Sequence, residues 1–330
     1  MPLHGKTPSS RTSRLKFYLI SDPGVGKTTA AINMPRPYVI DLDGGTDHYS
    51  DTIERVGGVV FDRIEYAVNG KTHTRVPNPE EVMDEIKMLM TEDHDFLTLV
   101  IDPYTALFEE TLQNAEDRVG AGHGRHYGEA YKYEKRFINL IKNLDMNVVF
   151  TAHMKERKVK DKNGEAVTDG YTFDGGKYLD RLFDLGFELK RDASGKRWAR
   201  VAKTRMPEMF RDQEVFEWDF SVLEQRYGKD RLWRHGIVKE IPEDLKGIND
   251  YQVEIKNAKA RLTALVVANK ETLPHILSDE KKTYIETLLQ MDASSEPQAK
   301  KLIKDIDTAI QKITELITSQ TIEEKDDHGA

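Results

Sequence analysis

The segment from Leu15 to Asn33 constrains this chain more than any other. Leu15–Ile20 is a short run of apolar and β-favouring residues interrupted only by Lys16. It ends abruptly in Ser21-Asp22-Pro23-Gly24-Val25-Gly26-Lys27-Thr28-Thr29, and an Ala-rich helix start covers Thr28 to Asn33. A buried strand, a Gly-rich turn and a helix start make the first half of a βα unit. Gly24 and Gly26 admit backbone conformations that a side chain would forbid, so successive N–H groups can turn inward onto an anion. In that arrangement residues 22–29 cradle the phosphates of a nucleotide, Lys27 reaches the β- and γ-phosphates, and the Thr28 hydroxyl ligates Mg²⁺. One position departs from the GxxxxGK[ST] pattern: Ser21 stands where the first glycine usually does. That position only starts the turn, and a small residue serves there.

Downstream, strand and helix patterns alternate. Pro37–Leu42 reads as a strand ending in Asp41-Leu42-Asp43-Gly44-Gly45. Asn69-Gly70 between short alternating runs predicts a hairpin. Pro79–Met90 is helical, with Val82, Ile86 and Leu89 on one face and acidic residues in its first turn. Phe96–Ile101 is a continuous apolar run ending in Asp102, as expected of a strand buried on both faces. Below a phosphate-binding turn, that carboxylate is the expected holder of the metal's water shell. Helices are predicted over Ala106–Val119 and through Tyr133–Leu144, separated by a Gly-rich break. Another apolar run, Asn147–Phe150, ends in Thr151-Ala152-His153. The alternation predicts an α/β fold on a mainly parallel sheet. Leu185–Lys190 and Arg197–Lys203, around Ala193-Ser194-Gly195, predict a β-hairpin. Past Tyr227 the pattern turns helical, with Gln252–Ala268 and Gln298–Thr318 amphipathic. The expected organisation is a flexible arm (1–14), an α/β core (15–227), a helical region (228–318) and a polar, disordered tail (319–330).

Composition narrows the chemistry. With no cysteine among 330 residues, a disulfide scaffold, a Cys nucleophile and a Cys-ligated metal are excluded. No run approaches the ~20 apolar residues of a membrane span, and the opening residues lack the long apolar stretch of a secretory signal. A cytoplasmic protein with no membrane partner is expected. The formal net charge is −8, so a nucleic-acid surface would have to be local. Residues 125–205 supply one: they carry 19 Lys and Arg against 12 Asp and Glu, a local balance of +7. Within them, Gly120–Tyr133 mixes glycines with His, Arg, Lys and Tyr. The second segment, Lys155–Lys162, reads as a loop; it holds five basic residues among eight and leads to Tyr171 and Phe173. Cationic segments with interleaved aromatics suit single strands, whose bases stack on rings while phosphates meet Lys or Arg. His123 and His126 lack a third partner at ligand spacing, which excludes them as a metal site.

Beyond the phosphate-binding loop, three strand ends resemble the RecA-type core. Pro37–Gly45 is similar to the strand whose acidic end polarises the attacking water, with Asp43 where that family usually has Glu. Val148–His153 is similar to the strand ending in a γ-phosphate sensor, with His153 in that place. Arg200–Arg205 resembles the strand that offers a cation, here Lys203 or Arg205, to a neighbouring subunit's nucleotide. Over roughly residues 15–206 the chain most resembles phage-encoded ATP-binding proteins with a RecA core, associated with single-strand annealing and recombination. The resemblance implies a RecA-like P-loop ATPase fold, ATP and Mg²⁺ as ligands, and catalytic roles for Lys27, Asp43, Asp102 and His153. It also implies a homo-oligomer and single-stranded DNA as partner, with Arg125, Lys132, Arg157, Lys158 and Lys160 in the two DNA-facing segments. The C-terminal helices are then free to recruit a single-strand-binding or replication protein. A helicase or helicase loader on the same core, and a non-hydrolysing nucleotide-gated DNA-binding module, are the competing expectations.

Overall fold

The computed structural model describes residues 14–327, without positions 69, 70, 161, 163 and 177 and without the side chains of residues 66, 160, 169, 180, 244, 248, 249 and 320–327. The chain forms two compact units, Met1–Ile241 and Pro242–Ala330. The first is an α/β unit. In chain order its elements are β1 (Lys16–Ser21), α1 (Lys27–Ile32), β2 (Pro37–Asp41), α2 (Ser50–Arg55), β3 (Val59–Phe61), β4 (Ile64–Val68), β5 (Lys71–Arg75) and α3 (Pro79–Thr91). There follow β6 (Thr98–Asp102), α4 (Tyr104–Val119), α5 (Arg125–Asn143), β7 (Asn147–Lys160), β8 (Ala166–Phe173), β9 (Leu185–Arg191), β10 (Arg197–Thr204), β11 (Val215–Glu217), α6 (Phe220–Tyr227) and α7 (Lys229–Leu232). Among the described residues the main sheet has nine strands in the order β11-β10-β9-β1-β7-β6-β2-β3, with β8 paired to β7. The strands from β9 through β3 run parallel, and β8, β10 and β11 are antiparallel additions. The mainly parallel sheet flanked by helices agrees with the pattern read from sequence.

The period of two along β1 explains how the sheet is covered. Phe17 and Leu19 join Val39, Val100, Val149 and the α1 residues Ala30–Ile32 in one core. Tyr18, between them, packs edge-on against Phe173 and Phe183, and Phe150 stacks on Tyr104 at the start of α4. Gly186 of β9 pairs with Tyr18, and a Cβ there would fall 2.1–2.4 Å from the Tyr18 ring and hydroxyl. The lack of a side chain is what admits the ring.

Other parts agree with the sequence expectation in some places and differ in others. The first-turn pair Glu80 and Glu81 sits as expected, with Asn78 and Glu81 forming a capping box at α3. β4 and β5 pair as the predicted hairpin, although its Asn69-Gly70 turn lies outside the described residues. The Gly-rich break is shorter than expected: α5 starts at Arg125, because Ala130, Glu134 and Phe137 already present a buried helical face. The charged segment after His153 is no loop, since β7 continues to Lys160 and pairs with β8 as a two-stranded ribbon. Alternating Val159 and Val167 among the charges favour that extended form. Residues 1–13 of the expected arm lie outside the described residues, while Arg14 is buried and ion-paired to Asp145 at 2.9 Å.

The second unit contains α8 (Ile248–Ala268), α9 (Leu273–Ile276), α10 (Asp279–Gln290) and α11 (Glu296–Asp327). Its core takes Leu262 from α8 and Leu288 from α10, with Leu302, Ile306 and Ile313 from the apolar stripe of α11. Helix α11 extends to Asp327, past residue 319 where sequence alone suggests a disordered tail. Among the described residues no helix is long and apolar enough to cross a membrane.

Two measurements test this packing. Gly186→Ala should lower unfolding stability by about 1–3 kcal/mol, as overpacked cores do; an unchanged denaturation midpoint would contradict the close approach of Tyr18. Lys16 is buried in β1, and desolvation, partly offset by Asp184 and Asp145, pulls its pKa from 10.5 down to about 8. Between those values the unfolded chain holds a proton that the folded chain has released, so stability rises with pH across the window. Urea unfolding from about pH 8 to about pH 10 should show that rise in the wild type and not in Lys16→Met. Equal pH slopes would contradict it.

Candidate active site

Parallel register places the ends of four strands side by side. Ser21 lies opposite His153, and Asp41 opposite Asp102. Ile101 pairs with Phe150, which puts Thr151 next to Asp102. The ends of β1, β2, β6 and β7 therefore sit together on the carboxyl edge, the edge where open α/β sheets bind ligands.

At this edge the Gly-rich turn has the expected form. Gly24 and Gly26 take φ of +75° and +107°, and Gly26 leads directly into α1. Lys27 folds back over the turn, donating from Nζ to the Ser21 carbonyl at 3.1 Å and to Ser21 Oγ at 3.2 Å. Ser21 is thus compatible with the turn and supplies it with an acceptor. Burial lowers the Lys27 pKa, while the negative charges of Asp102, Asp22 and Asp43 oppose that shift.

Asp102 is 3% exposed. One carboxylate oxygen accepts from the Thr151 hydroxyl, and Oδ2 is buried without a hydrogen-bond partner among the described residues. Burial raises its pKa, the Thr151 and Thr28 hydroxyls lower it, and the charges of Asp43 and Asp41 raise it further. A buried carboxylate oxygen with no donor, beside the Thr28 hydroxyl, fits a Mg²⁺ ion and its waters, which satisfy oxygen ligands without a dedicated protein cage. Consistently, no group of three or more His, Asp or Glu among the described residues is arranged to hold a metal alone.

The aspartate that ends β2 and the one two residues later divide their work. Asp41 is fully buried and accepts from the amides of Asp43, Gly44 and Gly45 through Oδ1 and from Thr46 through Oδ2. It builds the turn. Asp43 is exposed and accepts from the Gly45 amide at 3.0 Å. Burial of part of its carboxyl raises the Asp43 pKa, Asp41 adds to that, and His153 acts the other way. Lys27, Asp43, Asp102 and His153 are close enough to feel one another's charge in the pattern just described.

His153 is exposed and tied in through its backbone. Its N–H donates to Thr105 Oγ1 at 3.0 Å, and the same hydroxyl donates to the Asp174 carbonyl at 3.0 Å. The Asp174 amide returns a bond to the His153 carbonyl at 2.8 Å, and Lys155 pairs with Asp174 at 3.0 Å. The first turn of α4 thereby fastens both roots of the β7–β8 ribbon to the strand end. Neither role is legible in the local sequence, because Thr151 owes its place to strand register and Thr105 to the meeting of α4 with β7 and β8.

The basic candidates fall on ordered elements. Arg157 and Lys158 lie on the exposed ribbon, while the Lys160 side chain lies outside the described residues. Arg125 and Lys132 are exposed on α5, Lys132 pairing with Glu129 at 2.6 Å. Tyr131 meets Tyr178 edge-on at 5.6 Å, which brings the first half of α5 beside the chain leaving the ribbon. Lys203 and Arg205 stand at the other edge of the sheet, where β10 ends beside the start of β9 and Arg205 bonds the Arg181 carbonyl. They do not join this chain's own loop. The residue of β10 that does approach it is Arg197, whose Nε lies 2.7 Å from where a Gly26 Cβ would be.

Fold and site define a P-loop nucleotide-binding domain of the α/β class. The chain belongs to an AAA domain family, whose sequence profile matches residues 13–211. No curated protein matches it. Among solved structures, the crystal structure of the RadB recombinase is similar at 14% identity and a TM-score of 0.36, over 62% of this chain and 86% of that one.

The division between the two aspartates is testable. Asp41→Ala strips the acceptor from several buried amides and should cost about 3 kcal/mol or more in chemical unfolding, whereas Asp43→Ala should cost under about 1 kcal/mol. Equal losses would show that Asp43 also serves the turn.

Proposed function

We propose that this chain is a Mg²⁺-dependent ATPase of the RecA type that acts on single-stranded DNA in recombination or annealing, working as a homo-oligomer. The observation that carries the proposal is the course of β7. One strand runs from between the phosphate loop and Asp102, through His153, straight into an exposed basic ribbon. A nucleotide-dependent change at His153 has a short, hydrogen-bonded route to a surface that suits DNA.

The geometry supports the following roles. Amides of residues 22–28 bind the phosphates, and Lys27 and Thr28 stand at the start of α1 to meet the charge of the terminal phosphates. Asp102 and Thr28 would hold a Mg²⁺ ion, which would supply positive charge to offset that of the terminal phosphates. Asp43, exposed and only lightly engaged, positions the attacking water. His153 senses the terminal phosphate, and Thr105 passes its position to Asp174 and the ribbon root. Arg157, Lys158 and Lys160 on the ribbon, with Arg125 and Lys132 on α5, meet the DNA backbone. Val159, Val167 and Tyr171, all exposed on the ribbon, offer apolar and stacking surface between them. Lys203 and Arg205, at the far edge, are the residues that would reach a neighbouring subunit's nucleotide. The helical unit remains available for a single-strand-binding or replication protein.

ATP hydrolysis measured with and without single-stranded DNA tests the reading. Stimulation by DNA that rises with protein concentration is expected, with loss of at least about 100-fold in Lys27→Ala. ATP binding with negligible turnover would favour the nucleotide-gated binding module. DNA-driven duplex unwinding would favour the helicase. Absence of DNA binding at low salt would overturn the proposal.

Two further outcomes are expected. The double variant Arg157→Ala, Lys158→Ala should weaken DNA binding and make its log–log salt dependence shallower by about 1.4, two phosphate contacts at about 0.7 each. Thr105→Val should keep ATP affinity but uncouple ATP from DNA affinity; intact coupling would remove Thr105 from the route.

A further inference from the structure

The helical unit has a groove of its own, of about 440 Å³, between the first turns of α10 and the middle of α11. It follows α11 from Ala309 to Ser319, about 15 Å at 1.5 Å per residue. Leu277, Ile285, Ile313 and Leu316 supply an apolar floor. The first three are buried members of the unit's core and Leu316 packs against it, so the fold itself fixes the floor. On the α10 wall Tyr284 keeps 50% of its surface exposed. The phosphate loop and the basic ribbon belong to the other unit and use none of these residues.

The rim has a definite charge. Several cations of the unit are matched: Lys246 pairs with Glu254 at 2.6 Å, Arg261 with Asp307 at 2.9 Å and Lys282 with Asp279 at 3.1 Å. Lys281 on α10 and Lys312 on α11 stand on opposite walls of the groove, both exposed. Neither has a carboxylate partner among the described residues. The carboxylate in the lining, Glu315, accepts from Gln311 Nε2 at 3.0 Å. Residues 242–330 as a whole carry 12 Lys and Arg against 17 Asp and Glu, so a cationic rim inverts the charge of its surroundings. An aliphatic floor between two unpaired ammonium groups is complementary to a peptide that buries apolar side chains and meets the lysines with carboxylates. A phosphate backbone would meet the lysines but leave the floor unused.

We infer that the α10–α11 groove docks an acidic segment of a partner protein. Its apolar side chains rest on Leu277, Ile285 and Ile313, its carboxylates face Lys281 and Lys312, and Tyr284 flanks it on the α10 side. The inference specifies the chemistry of the protein for which the helical unit is available. It stands independently of the nucleotide and DNA readings, since no residue is shared with them.

Selection of displayed random peptides about twelve residues long against the full chain tests it. Recovered peptides should combine Asp or Glu with Leu, Ile, Phe or Trp, and synthetic copies should bind the full chain in fluorescence anisotropy. The double variant Lys281→Glu, Lys312→Glu should weaken them at least about tenfold. Tyr284→Ala should weaken them about fivefold or more, and serves if the double variant does not fold. Copies with Asn and Gln in place of Asp and Glu should lose a similar margin and no longer distinguish the wild type from the double variant. Recovery of basic or uncharged peptides, equal affinity in the wild type and both variants, or no binders at all would overturn the inference. So would loss of self-association in the double variant by sedimentation, which would give the groove to a second copy of this chain. ATP hydrolysis should be the same in both variants as in the wild type, and its absence in the wild type would count against the nucleotide reading alone.

Discussion

Because β1, β7, β6 and β2 run parallel and in register, their last residues are delivered to one line. Ser21, Thr151, Asp102 and Asp41 are neighbours only through that registration. A shift of one residue in any strand would turn its terminal side chain to the opposite face. The hydrophobic alternation that fixes register, with Phe17 and Leu19 on one side and Tyr18 on the other, is thus also what assembles the site. Gly186 belongs to the same constraint, since it admits the Tyr18 ring.

The assembled edge is electrostatically incomplete. The charge of Asp41 raises the pKa of Asp43 and of Asp102, Asp43 raises that of Asp102, and burial of these two works in the same direction. Asp41 is satisfied by backbone amides, so its charge is committed to the turn. Asp102 has a buried oxygen with no hydrogen-bond donor among the described residues, and Lys27 feels its negative charge. Carboxylates held in this way favour a cation and its waters.

Much of this was legible in the sequence because the relevant signals are local. The turn from Ser21 to Thr29, the apolar runs before Asp102 and His153, and the polar cluster after Ile40 each announce themselves within a few residues. The stripe from Leu302 to Ile317 likewise reads as a core-forming helix. What stayed hidden depends on tertiary pairing. Thr105 acquires its role from the meeting of α4, β7 and β8, and Arg197 reaches Gly26 from an antiparallel strand at the sheet edge. The ribbon was misread as a loop because its charges obscure the alternation carried by Val159 and Val167. The start of α5 was masked by Gly128, which sits in a helix whose buried face begins only at Ala130.

The central claim is that Thr28 and the orphaned oxygen of Asp102 complete one magnesium–nucleotide site with the phosphate loop. ATP affinity measured across a Mg²⁺ titration tests it most directly, in the wild type and in Thr28→Val. The account predicts affinity that climbs with Mg²⁺ in the wild type and a flat response in the variant. Affinity independent of Mg²⁺ in the wild type, or an equally steep response in Thr28→Val, would contradict it.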